Sequence, residues 1–246
     1  MRRALLVLLG FLFSSSLFAE SVHWPFSNSQ FLMGLTLGPT WISGNQTQTI
    51  NLELDEKKTY TANSNSQTFP SGELFMGWQQ PWVSHPSLMT QLGIAVAAAG
   101  NVNLNGDIWE DGDPNFDNFN YSYKVQHTHV AIKARLLGYV GSSFEPYISA
   151  SAGLGFNRAY DFSITPKISQ EVAPPPFHDN TTTTFVYTLG IGIQHPLNND
   201  FQVAIGYEFS DWGHVGLSRA DDQTINQGVA LNHLYAHEIA LSLFYS

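Results

Sequence analysis

The segment from Glu145 to Asn157, EPYISASAGLGFN, alternates with a period of two. Ile148, Ala150, Ala152, Leu154 and Phe156 fall on one parity, and Tyr147, Ser149, Ser151, Gly153, Gly155 and Asn157 on the other. Successive residues of a strand point to opposite faces, so the pattern describes one apolar environment and one that is polar and cramped. The same alternation recurs in eight segments, with almost no helical periodicity between them. They run approximately over Phe31–Trp41, Gly72–Gln80, Leu88–Gly100, Tyr123–Leu137, Pro146–Tyr160, Thr184–Gln194, Phe201–Trp212 and Leu231–Tyr245. Each is long enough to cross a bilayer at the usual tilt, which takes roughly 9–11 residues.

The connections alternate long, short, long, short, long, short, long. PWVSHPS, GYVGSSFE and HPLNND are the short ones, and the four long ones are polar. In an up-and-down antiparallel sheet all long connections then share one end, and the termini share the other with the short turns. Which parity faces inward follows from composition. The polar parity carries mostly small residues: Gly34, Thr36 and Gly38; Gly93, Ala95 and Ala97; Thr188, Gly190 and Gly192. Small residues suit the crowded lumen of an eight-stranded barrel, which side chains alone can fill. The apolar parity, with Leu189, Ile191, Ile193, Val203, Ile205, Tyr207 and Phe209, then faces lipid.

Composition points the same way. Charged residues make up 12% of the chain and aromatic ones 13%, against roughly 25% charged in a soluble domain. Trp41, Trp78, Trp82, Tyr139, Tyr160, Phe201, Trp212, Tyr235 and Tyr245 fall near strand ends, where aromatic girdles meet the lipid interfaces. The N-terminus, MRRALLVLLGFLFSSSLFAES, reads as a signal peptide over residues 1–19, leaving residues 20–246 as the barrel domain. Its removal takes Lys plus Arg from 10 to 8 against 20 acidic residues, a formal charge of −12. So acidic a chain is poorly suited to nucleic acid, whose binding depends on neutralising phosphates. Cysteine is absent, which excludes a disulfide framework.

The expected fold is therefore all-β: an eight-stranded antiparallel up-and-down transmembrane β-barrel with long extracellular loops and short periplasmic turns. The segments FEPYISASAGLGFN, VAIGYEFSDWG and HEIALSLFYS resemble those of small eight-stranded outer-membrane barrels, the OmpA-type transmembrane domain and the opacity and porin-like surface proteins. The resemblance implies a place in the Gram-negative outer membrane, insertion by the outer-membrane assembly machinery, and contact with outer-membrane lipid and lipopolysaccharide. It also implies host or environmental surface ligands reached through the loops.

Five charged residues fall on the inward parity: Glu73, Lys133, Arg135, Glu208 and Glu238. In a narrow lumen they are expected to pair across the barrel, because an unpaired buried charge is costly. On that expectation Arg135→Ala strands carboxylates. A bracing plug and a gate are both compatible with such a network. The second long loop holds Asp107, Asp111 and Asp113, oxygen ligands of the kind Ca²⁺ takes, but without EF-hand spacing it reads as a hydrated acidic loop. His127 with His129, His214 with Ser218, and His233 and His237 with Glu238 form no recognisable nucleophile motif. The expectation is thus a non-enzymatic surface and membrane-integrity protein with no cofactor. A narrow charge-gated channel is the alternative, and a lipid-modifying enzyme comes third.

Overall fold

The computed structural model describes residues 29–43, 46–52, 57–63, 67–82, 84–85, 87–139, 143–221 and 223–246. The expected signal segment lies outside them. In chain order the strands are β1 (Gln30–Ser43), β2 (Gln48–Asn51), β3 (Lys57–Ala62), β4 (Thr68–Pro81), β5 (Leu88–Ala99), β6 (Val102–Glu110), β7 (Asp117–Gly138), β8 (Glu145–Pro166), β9 (Asn180–Pro196), β10 (Phe201–Asp211), β11 (Val215–Gly216), β12 (Ala230–Leu231) and β13 (Tyr235–Tyr245). Eight of them, in the order β1, β4, β5, β7, β8, β9, β10 and β13, form an antiparallel barrel that closes through the β1–β13 pairing. Closure leaves no open sheet edge around this wall, which a lipid-exposed backbone requires.

The wall is apolar outside. Ile132 is 66% exposed and its neighbour Lys133 only 3%. Leu37, Leu74, Ile94, Ile148, Leu189 and Leu241 are likewise exposed large apolar residues on lipid-facing positions. At the short-turn end Phe31 meets Trp78 edge-on at 6.0 Å and Phe201 meets Tyr245 at 5.3 Å, forming one interfacial belt. At the other end Trp41, Phe209, Tyr235 and His237 form the second, with Phe209 stacked on Tyr235 at 5.7 Å.

Inside, the glycine-rich parity has a direct cause. A Cβ on Gly206 would collide with the Tyr147 hydroxyl, and one on Gly190 with the Ser149 hydroxyl. The lumen holds large polar side chains only because facing positions carry none.

The long connections differ from the expected polar loops. Much of the first two forms β2, β3, β6 and the first part of β7, which extend the β1, β4, β5 and β7 arms beyond the lipid band. In this extension the parity code inverts. Along β5 the outward residues are Leu92, Ile94 and Val96, whereas along β6 they are Asn103 and Asn105, with Val102, Leu104 and Ile108 buried inside. On β7 the inward series runs Phe119, Tyr121, Tyr123 and Val125, then His127 and His129, then Lys133 and Arg135. Outside water, unlike outside lipid, makes an apolar interior the stable arrangement. The barrel therefore carries a water-facing head with its own apolar core, joined by Phe69, Phe177, Trp212, Val215, Leu217, Val229 and Leu231. Trp212, expected in the lipid girdle, belongs to this core and is 4% exposed, because the chain turns inward after β10 at Gly213, whose φ of +69° suits glycine.

Candidate functional site

The lumen is filled in layers. Next to the short-turn end, Arg135 lies over the rings of Tyr147 and Phe244, 3.9 and 4.5 Å from their centroids. Its Nη1 donates to Gln91 Oε1 at 2.7 Å and to Gln194 Oε1 at 3.0 Å. Gln194 in turn donates to Gln202 at 2.8 Å, and Gln79 to Gln30 at 2.9 Å. The expected carboxylate pairing of Arg135 is thus replaced by amide oxygens and aromatic faces, since β5 and β9 present glutamines at its level.

One layer further, Lys133 Nζ reaches Glu73 Oε1 at 2.7 Å and Glu208 Oε1 at 2.6 Å. All three groups are buried, and they come from β7, β4 and β10, so the cation ties three separate parts of the wall together. Such a bridge requires both partners, because burying either carboxylate alone carries the desolvation cost without the compensation. Glu238 makes no salt bridge among the described residues. It lines, with Thr40, Ser71, Glu73, His129 and Glu208, a cavity of about 30 Å³ above the bridge. That is enough for about two waters at ~10–15 Å³ each.

The cavity is roofed by two histidines and a tryptophan. Asn157 donates through Nδ2 to the Trp212 and His214 carbonyls at 2.7 and 2.8 Å, which leaves its Oδ1 to accept from His127 Nδ1 at 2.6 Å. With neutral rings, His129 Nδ1 then donates to His127 Nε2, 2.9 Å away, and His129 Nε2 is left as an acceptor without a protein partner beside the cavity. A metal chelate by His127 and His129 is not favoured by this arrangement, since the facing nitrogens bond each other. Trp212 covers His127 at 4.1 Å with 4° between the planes.

The acidic second loop does not converge on an ion. Asp107 and Asp117 both bind Lys167 Nζ, at 2.8 and 2.6 Å, and Asp113 caps a short 3₁₀ turn by accepting from Asn115 N. Asp111 occupies a left-handed turn, φ 52°. Among the described residues no group of three or more His, Cys, Asp or Glu could hold a metal. The Ca²⁺ candidates Asp107, Asp111 and Asp113 are accordingly turn and salt-bridge residues, their spacing fixed by the β6–β7 hairpin. Lys167 and Lys124 both have raised pKa values. For Lys167 burial acts downward and is outweighed by its hydrogen bonds to Asp107 and Asp117, and for Lys124 the hydrogen bond to Asp161 dominates.

The remaining histidines are dispersed. Ser218 bonds His178 through the backbone, with His214 elsewhere, and His233 Nδ1 lies 2.8 Å from Asp211 Oδ2. His237 points to the lipid side, away from the inward Glu238 beside it. Its ring contacts Ser43 and Tyr207, residues 194 and 30 positions away, which no local motif links.

The closed wall, the outward apolar band and the polar lumen decide the architecture. The fold is that of the eight-stranded outer-membrane barrels. Among solved structures, the outer membrane protein OprG from Pseudomonas aeruginosa is similar over 87% of this chain and 95% of its own, with 13% identity and a TM-score of 0.51. Neisserial surface protein A is similar over 88% and 97%, with 12% identity and a TM-score of 0.45. No protein-family description matches the sequence, and no curated protein does.

Proposed function

We propose that this is an outer-membrane protein that acts through its water-facing head, on a barrel whose lumen is a brace and not a passage. The observation that carries this reading is the sequence of fillings along the axis. The Arg135 layer, the Lys133 bridge, the two histidines, Trp212 and the apolar head core succeed one another from the short-turn end outward. A solute path would have to break buried ion pairs and then cross an apolar core, each a costly step.

The place of action is then the surface that β2, β3, β6 and the outer parts of β7 and β8 raise above the lipid. Its polar exterior, with Asn103, Asn105, Ser122, Ser163 and Thr165, is of the kind that meets surface ligands and the sugar and phosphate groups of lipopolysaccharide. Targeting to the outer membrane by a cleaved signal over residues 1–19 belongs to the same reading.

Single-channel recording of the folded, purified protein in a planar bilayer tests it. An electrically silent barrel is expected. Steady discrete openings altered by Lys133→Met would replace the brace with the gated-channel alternative.

A further inference from the structure

We propose that Ser43, His237 and Tyr207 form a nucleophile, base and orienting group on the outside of the barrel, acting on carboxylic esters of membrane lipids. His237 Nε2 lies 2.8 Å from Ser43 Oγ, and His237 Nδ1 lies 2.6 Å from the Tyr207 hydroxyl. The three residues come from β13, β1 and β10, adjacent strands in the wall, and all three point to the lipid side. The head core and the lumen make no use of them.

The order of the groups fits acyl transfer. A Tyr207 oxygen that accepts from Nδ1–H fixes the tautomer in which the Nε2 lone pair faces Ser43. The imidazole is held flat by Trp41, whose ring stacks on it at 5.8 Å and 15°, and is flanked by Phe209 at 5.5 Å. Trp41 stands on the same lipid-facing parity of β1 as Ser43, and its indole N–H is the donor assigned to the developing oxyanion.

Position selects the substrate class. Along β1 the lipid-facing series is Leu35, Leu37, Pro39, Trp41 and then Ser43, and along β13 it is Leu241, Ile239, His237 and Tyr235. Ser43 and His237 thus stand where the apolar band gives way to the head, the level at which lipid ester carbonyls lie and acyl chains run down the wall.

In the reaction, Ser43 Oγ bonds the ester carbonyl carbon and passes its proton to His237 Nε2. The carbon–oxygen bond to the alcohol part breaks, and His237 returns the proton to the departing alkoxide. Interfacial water then attacks the acyl–Ser43 ester, giving a proton to His237 that restores the serine hydroxyl, and the carboxylic acid leaves.

The test uses the full folded protein in vesicles of phosphatidylethanolamine and, separately, in vesicles containing lipopolysaccharide, together with a long-chain alkyl fluorophosphonate. A single phosphonyl adduct on Ser43 is expected, lost in Ser43→Ala, an exposed position whose variant keeps the heat-sensitive gel mobility of the folded barrel. Release of acid is expected to fall roughly a hundredfold or more in His237→Asn. As a positioning residue, Tyr207→Phe is expected to move the pH–rate profile with the adduct site unchanged. Fatty acid with lysophospholipid identifies glycerophospholipid as the source, and hydroxy fatty acid identifies lipopolysaccharide. A folded protein that takes no Ser43 adduct and releases no acid from either vesicle overturns the proposal, as does acid release by Ser43→Ala equal to that of the unaltered chain.

Discussion

Trp212 lies face to face with His127, ring centroids 4.1 Å apart, at the boundary between a polar lumen and an apolar head. The indole covers an imidazole already bonded to Asn157 and His129, so one ring both completes the head core and closes the cavity beneath it. Trp212→Ala removes that cover and leaves a void among groups that cannot all collapse into it. A loss of about 3 to 5 kcal/mol is expected for such a large-to-small change, measured as urea unfolding in lipid vesicles.

Lys133 sits between two buried carboxylates, so its removal is worse than the loss of two bonds. Lys133→Met leaves Glu73 and Glu208 facing each other without a cation, and a cost of about 3 to 5 kcal/mol is expected. The triple change Lys133→Met, Glu73→Gln and Glu208→Gln is expected to recover most of it. The unfolding midpoints of the two variants in the same vesicles check this; equal destabilisation would refute the ion-pair account.

Arg135 behaves differently because it touches aromatic faces and amide oxygens. Arg135→Ala is expected to strand no bridged carboxylate, since Lys133 holds both Glu73 and Glu208. Arg135→Lys is expected to recover little of the loss, because an ammonium lacks the planar face that lies over the Tyr147 and Phe244 rings while Nη1 donates to Gln91 and Gln194. A double-mutant cycle between Arg135 and Gln91 is expected to give a larger coupling than one between Arg135 and Glu73.

Tyr121 and Tyr123 are buried in the head, outside the lipid band, and burial pushes both phenols above their ordinary range. The Asp107 charge adds to the shift at Tyr121, and Tyr121 to that at Tyr123. An unfolded tyrosine ionises near pH ~10, so between that value and the higher folded one the unfolded chain binds fewer protons. Stability from these residues is complete below the unfolded value and is lost as pH rises through the folded one. The head is therefore expected to open in strong alkali. Phenolate absorbance followed against pH, compared with Tyr121→Phe/Tyr123→Phe, measures it.

The period-two alternation and the small inward residues determined the barrel, its strand number, the sidedness of its wall and the end at which the long connections lie. These are properties of single strands, and a strand's two faces are written in adjacent residues. The inversion of parity between Ala99 and Val102, which marks where lipid ends and the head begins, is also present in the sequence. It reads as a break between strand and loop unless the outside solvent is known to change there. Tertiary structure alone decided that Lys133 takes both Glu73 and Glu208, that Arg135 takes glutamines, that Trp212 turns inward, and that Ser43 meets His237. Each depends on which residues of different strands share a level around a closed wall, and that is set by the stagger of the whole barrel, which no single strand encodes.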